Sequence, residues 1–144
     1  MHALKFGLMP SITTEAKPSK YLASYVQTYL EQEVHQEGLT RNLDAFARFL
    51  EVASFSQGSP LNVSNVAREA AVSRKVTASY FSILQDLLIG YELPAFRKRA
   101  KRRLVASPKF YFFDTGIYRS IRPTGPLDTP AEVGGIALET LFFQ

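Results

Sequence analysis

The chain has 144 residues and a formal charge of +4, with 46% hydrophobic and 12% aromatic residues. This composition suits a folded domain and excludes a disordered chain. There is no cysteine, which excludes disulfides, thiolate metal sites and cysteine nucleophiles and fits a cytoplasmic location.

No apolar run approaches the length of a membrane span, and the N-terminus lacks a charged region followed by a long apolar one. Neither a transmembrane helix, a signal peptide nor a membrane partner is expected. Residues 1–19 hold Pro10 and Pro18 and carry little pattern, so they read as an irregular lead-in. From Ser19, a plausible N-cap, Leu22, Tyr25, Val26, Tyr29, Leu30 and Val34 fall at helical spacing, and Gly38 is a plausible stop. A second helix follows, capped by Asn42 or Asp44, with Phe46, Phe49, Leu50, Ala53 and Phe55 on one face. The stretch "SQGSP" at 56–60 is turn chemistry and ends it.

The segment 61–89 reads as helix, tight turn, helix. Asn62 caps a short helix with Val66, Ala67 and Ala70 inward. Ser73 caps a longer one with Tyr80, Phe81, Leu84, Leu87 and Leu88 on its apolar side, and Gly90 is read as its end. Two strands are expected next, at 91–96 and 109–114, with Pro94 marking the first as an edge strand. Asp114 then caps a short helix through Ile117, Tyr118 and Ile121. Residues 122–130 hold three prolines and a glycine and read as a linker, and 131–144 begin another amphipathic helix. Leu138, Leu141, Phe142 and Phe143 would leave that helix weakly held, covered by a partner or exchanged in a homo-oligomer.

Between the two strands lies the densest charge in the chain. Six of the seven residues from Arg97 to Arg103 are cationic, so the run carries +6 and the remainder sums to −2. Basicity is therefore local. It is either the footprint of a polyanion or a solvated hairpin turn with aromatics packed beneath it.

Enzyme signatures are absent. There is no Gly-Lys-Ser/Thr phosphate loop and no Gly-x-Ser-x-Gly elbow, and no pair of carboxylates stands out. His2 and His35 are isolated and lack metal-ligand spacing. No cofactor, metal or catalytic residue is expected. The helix-turn-helix offers Ser73, Arg74 and Lys75, with Ala78 and Ser82 behind them, at the start of a recognition helix. Arg74 and Lys75 can neutralise phosphates or reach guanine edges, whereas the wing cations would act on the backbone alone. The nucleic-acid-binding set is thus Ser73, Arg74, Lys75, Arg97, Lys98, Arg99, Lys101, Arg102 and Arg103.

The motifs "YLASYVQTYLEQEV", "FARFLEVAS", "LNVSNVAREAAVS", "SYFSILQDLLIGYELPAF", "KRRLVASPKFYFFDTGI" and "GGIALETLFF" occur in that order. Together they resemble the C-terminal half of a group of prokaryotic AAA-type ATPases of poorly defined function. In that group an ATPase module precedes a winged helix and a restriction-endonuclease-like domain. The resemblance runs from about Phe6 onward, and "SPKFYFFDTG" is its most specific part. It implies a missing upstream ATPase module, a winged helix over 43–113 and the start of the nuclease-like domain near Ala131. It also implies that Glu139 matches an acidic residue of that domain's first helix, in a centre this chain cannot complete. Two positions depart from the family. Val76 then Thr77 replaces the expected Thr then Val, and Gln32 precedes Glu33 where the family tends to have Arg.

The expected fold is therefore mainly α with a small β-wing. It is a winged helix-turn-helix domain with an extra N-terminal helix and a truncated C-terminal segment. Residues 1–42 would join to the missing ATPase module, 43–121 form the winged helix, and 122–144 hold a linker and the first nuclease-like helix. The expected function is a non-catalytic module binding DNA through wing and recognition helix, the alternative being a module that docks the ATPase to a protein partner.

Overall fold

The computed structural model describes residues 2–36, 42–94, 107–125 and 128–142. The described chain is mainly helical with a two-stranded antiparallel sheet. The helices in order are α1 (His2–Phe6), α2 (Pro10–Thr13), α3 (Pro18–Ser24), α4 (Glu31–Gln36), α5 (Leu43–Ser54), α6 (Val63–Glu69), α7 (Arg74–Asp86), α8 (Thr115–Ile121) and α9 (Pro130–Phe142). Tyr25–Leu30 continue α3 into α4 as a π-helical turn. The strands β1 (Gly90–Leu93) and β2 (Lys109–Phe112) lie between α7 and α8, with Gly90 opposite Phe112 and Leu93 opposite Lys109. No helix among the described residues is long and apolar enough to cross a membrane.

Local side-chain chemistry starts four of these helices. Asn42 accepts from the Ala45 N–H at 3.0 Å, Asn62 from Asn65 at 3.1 Å, Ser73 from Val76 at 3.2 Å, and Asp114 from Gly116 and Ile117 at 2.8 and 3.0 Å. Each bond satisfies a donor that the first turn would otherwise orphan. The core then assembles from aromatics on α5, α7 and β2. Phe49 meets Tyr80 and Phe81 with ring centroids 5.2 and 4.8 Å apart, and Phe81 meets Phe110 at 5.0 Å, mostly edge to face. Phe46, Phe49, Leu84, Phe110 and Phe112 are fully buried.

Several sequence expectations are corrected. Residues 2–19 hold α1, α2 and the start of α3 and are docked, because Asp114 reaches back to them: its carboxylate accepts from Leu8 N–H at 2.9 Å, while Thr115 Oγ1 donates to the Ala3 carbonyl at 2.8 Å. Gly7 turns the chain there with φ +80, and any Cβ on Gly116 would meet the Phe6 carbonyl oxygen at 2.2 Å. α3 begins at Pro18 rather than after a Ser19 cap, with proline pre-set for the first turn. Phe55 leaves the α5 face and stands half exposed beneath the Arg122 guanidinium, 4.8 Å from its ring centre.

The turn at 56–60 also contributes to the sheet. Gly58 N–H donates to the Phe110 carbonyl at 2.8 Å, Phe110 N–H to Ser59 at 3.2 Å, and Leu61 N–H to Pro108 at 2.7 Å, so this segment bridges the outer edge of β2. α7 stops at Asp86, before Gly90. Leu88 turns the chain in left-handed conformation, and Gly90 opens β1, where a Cβ would lie 2.9 Å from the Phe110 ring. Gly38 lies outside the described residues. Within its own chain α9 packs on α1 and α8 and buries Ala137 and Thr140. Gln57, itself buried, fixes it by donating to Thr140 Oγ1 at 2.7 Å while accepting from Phe112 N–H at 2.7 Å.

Candidate nucleic-acid interface

α6 and α7 are joined by four residues, Ala70 to Ser73. Ala71 takes φ 55; its N–H bonds the Arg68 carbonyl at 3.3 Å, and Val72 N–H bonds Ala67 at 3.0 Å. This is a Schellman closure with alanine in the position glycine prefers. Arg48 on α5 braces it, its Nε reaching the Ala70 carbonyl at 3.5 Å. The connection fixes how α7 leaves the body of the molecule.

α7 is anchored from one side. Thr77, Tyr80, Phe81, Ile83 and Leu84 are buried. Thr77 resolves the departure noted at this position: its methyl enters the core, and its hydroxyl donates to the Ser73 carbonyl at 3.1 Å, so no polar group is stranded. Val76 instead stands 37% exposed. The opposite side presents Ser73, Arg74, Lys75, Ala78 and Ser82, all exposed.

The first turn of α7 contains no acidic residue. Among the described residues neither Arg74 nor Lys75 meets a carboxylate. Two unpaired cations at the positive end of a helix are electrostatically unfavourable to the free protein. That same end, with its outward N–H groups, is favourable for an anion.

The remaining residues of the expected interface, Arg97, Lys98, Arg99, Lys101, Arg102 and Arg103, lie outside the described residues. Leu93 and Lys109 pair at the end of the hairpin where the chain passes from β1 to β2. Lys109, which sequence reasoning left out of the basic set, is committed elsewhere. Its ammonium donates to Glu139 Oε1 at 3.0 Å, and Tyr111 donates to the same oxygen at 2.6 Å. The Tyr111 hydroxyl and then the Lys109 ammonium hold the Glu139 carboxyl below its usual range. Glu139, carried over by resemblance as a nuclease-type acid, is here a clamp between α9 and β2. No signal in sequence spacing joins residues 109 and 139.

Among the described residues no group of three or more His, Asp or Glu side chains is placed to hold a metal ion. His2 packs against Phe6 with ring centroids 4.9 Å apart, and His35 is exposed.

Residues 2–128 match the family model described as Domain of unknown function (DUF8612). No curated protein and no solved structure matches the chain.

Proposed function

We propose that this chain, which belongs to the family described as Domain of unknown function (DUF8612), is a non-catalytic winged-helix module that binds nucleic acid, DNA in the first instance. The observation that carries the reading is the first turn of α7. A Ser73 cap, exposed Arg74 and Lys75 and a buried opposite side are what a recognition helix needs to meet a phosphate line and the groove beside it. The order α5, α6, α7, β1, β2 supports a winged helix, and the bridge from 57–61 to β2 stands where such a fold has its third strand. The basic run at 97–103 lies in sequence between β1 and β2. In the same reading the module serves an AAA-type ATPase whose motor domain is encoded upstream, which rests on the motif resemblance.

One observation favours the docking alternative. Leu88, Phe113, Leu138 and Phe142 are 80%, 45%, 59% and 88% exposed. Apolar side chains of that size suit a protein partner.

Salt separates the two readings. Binding of the chain to duplex DNA should weaken with a slope of log affinity against log salt of about −0.9 per phosphate neutralised. Arg99→Glu, Lys101→Glu and Arg102→Glu combined should weaken binding strongly, nearly equally for all sequences, with melting unchanged. Parent-like binding by that variant, or no binding by the parent at low salt, sinks the nucleic-acid reading and leaves docking in its place.

A further inference from the structure

Away from α7, a cleft of about 190 Å³ opens between α1, α3 and α8. Lys5, Ser19, Arg119 and Ser120 line it over a floor of Phe6 and Leu22. Lys5 stands in the last turn of α1 and Arg119 in the last turn of α8. A helix dipole favours a cation at each of those ends taken singly. It does not account for both cations and two hydroxyls converging on one hollow. Both cations are exposed, and among the described residues no carboxylate lines the cleft or pairs with either. Lys5 lies over the Phe6 ring, 5.2 Å from its centre. Behind the wall lies Asp114, bonded to the N–H of Gly116, which lines the cleft. Asp114 is buried, and its carboxylate already accepts from the N–H groups of Leu8, Gly116 and Ile117.

We propose that this cleft binds a phosphoryl group. Two cations supply charge, one of them a planar fork, and two hydroxyls supply further donors, which suits a dianion with several acceptor oxygens better than a carboxylate. Pockets that enclose a whole small molecule run to about 300–1,000 Å³, so this cleft takes the head group and leaves the rest of the ligand in solvent. The phosphoryl group belongs either to a free phosphate ester or to a nucleic-acid backbone. The proposal stands apart from the α7 reading, because its probe is inorganic phosphate.

The test is a titration of the full chain with inorganic phosphate, followed by two-dimensional NMR, with sodium chloride at matched ionic strength and sodium acetate as controls. Saturable shifts of the Ser19, Arg119 and Ser120 amides with phosphate alone are expected. Lys5→Gln with Arg119→Gln should weaken that binding by about tenfold or more. Ser120→Ala, which keeps both cations, should weaken it several-fold and covers the case in which the double variant folds poorly. The proposal is overturned by the absence of saturable shifts, by equal shifts with acetate, or by parent-like phosphate binding in both variants. Duplex DNA then identifies the source. A parallel fall in duplex affinity in the double variant assigns the site to backbone phosphates, and unchanged duplex affinity assigns it to a free ester.

Discussion

Among the described residues, two that carry a side chain take a left-handed backbone conformation, and each closes a helix. Ala71 has φ 55 and Leu88 φ 57. At Leu88 the Schellman pair is complete, with Leu88 N–H to Gln85 at 3.0 Å and Ile89 N–H to Leu84 at 2.8 Å. A left-handed residue with a Cβ costs roughly 1–2 kcal/mol, and glycine escapes most of that while losing more freedom on folding. Leu88 is 80% exposed, so its side chain contributes little burial to set against the strain. Leu88→Gly is therefore expected to stabilise the chain by about 0.5–1 kcal/mol, read as a higher urea midpoint at unchanged m-value. A lower midpoint would show that Leu88 packs against something in solution. Asp114 is the opposite case, one buried carboxylate that caps α8 and holds the N-terminal helices. Asp114→Ala removes the cap and leaves three N–H groups short of an acceptor. A loss of about 2–3 kcal/mol is expected in the same assay. A loss no larger than for a simple exposed cap would mean that the bond to Leu8 contributes nothing.

At the level of elements, legibility in the sequence follows range. The caps at Asn42, Asn62, Ser73 and Asp114 were readable because each acts within three residues of itself. The helix-turn-helix was readable for the same reason, from small residues between two periodic segments. The docking of α1 on α8 was not, since Asp114 and Leu8 are 106 positions apart. Nor was the clamp on α9, whose partners lie 30 and 28 positions away. That clamp makes α9 sensitive to acid. Glu139 has its folded pKa depressed from an ordinary 4.5, first by the Tyr111 hydroxyl and then by Lys109. A depressed carboxyl contributes stability that is present above its unfolded pKa and is lost as pH falls through the folded one. Lys109, raised by the same bond, keeps its charge through that range, so the loss comes from the acid side. The parent should therefore lose more melting temperature than Glu139→Gln between neutral pH and the region below 4.5, and the two curves should converge in acid. Parallel curves would show that the clamp carries no net stability. Tyr111→Phe, which removes the shorter of the two bonds, should behave between them.

For the molecule as a whole, the candidate interface sets stability against binding. The placement of Ser73, Arg74 and Lys75 was legible from the cap and the register of the apolar face; the commitment of Lys109 to Glu139 was not, because it depends on where α9 lands. With no carboxylate near them among the described residues, Arg74 and Lys75 face the positive end of their own helix dipole. Replacing each with Glu reverses that effect and should stabilise the free chain by about 0.3–1 kcal/mol at low salt. The same replacements place two negative charges against a phosphate line and should weaken duplex binding, with a salt slope shallower by about 0.9 for each phosphate no longer neutralised. On the proposed reading of α7 as a recognition helix, they should also alter any preference among duplex sequences. Opposite signs in melting and in affinity distinguish a binding surface from a structural one, since a residue needed for the fold loses both together. The decisive measurement pairs melting with duplex titration for Arg74→Glu, Lys75→Glu and their combination at two salt concentrations. A combined variant that melts higher than the parent and binds duplex equally well would remove α7 from the interface. One that melts lower would show that the two cations hold the fold through residues outside those described.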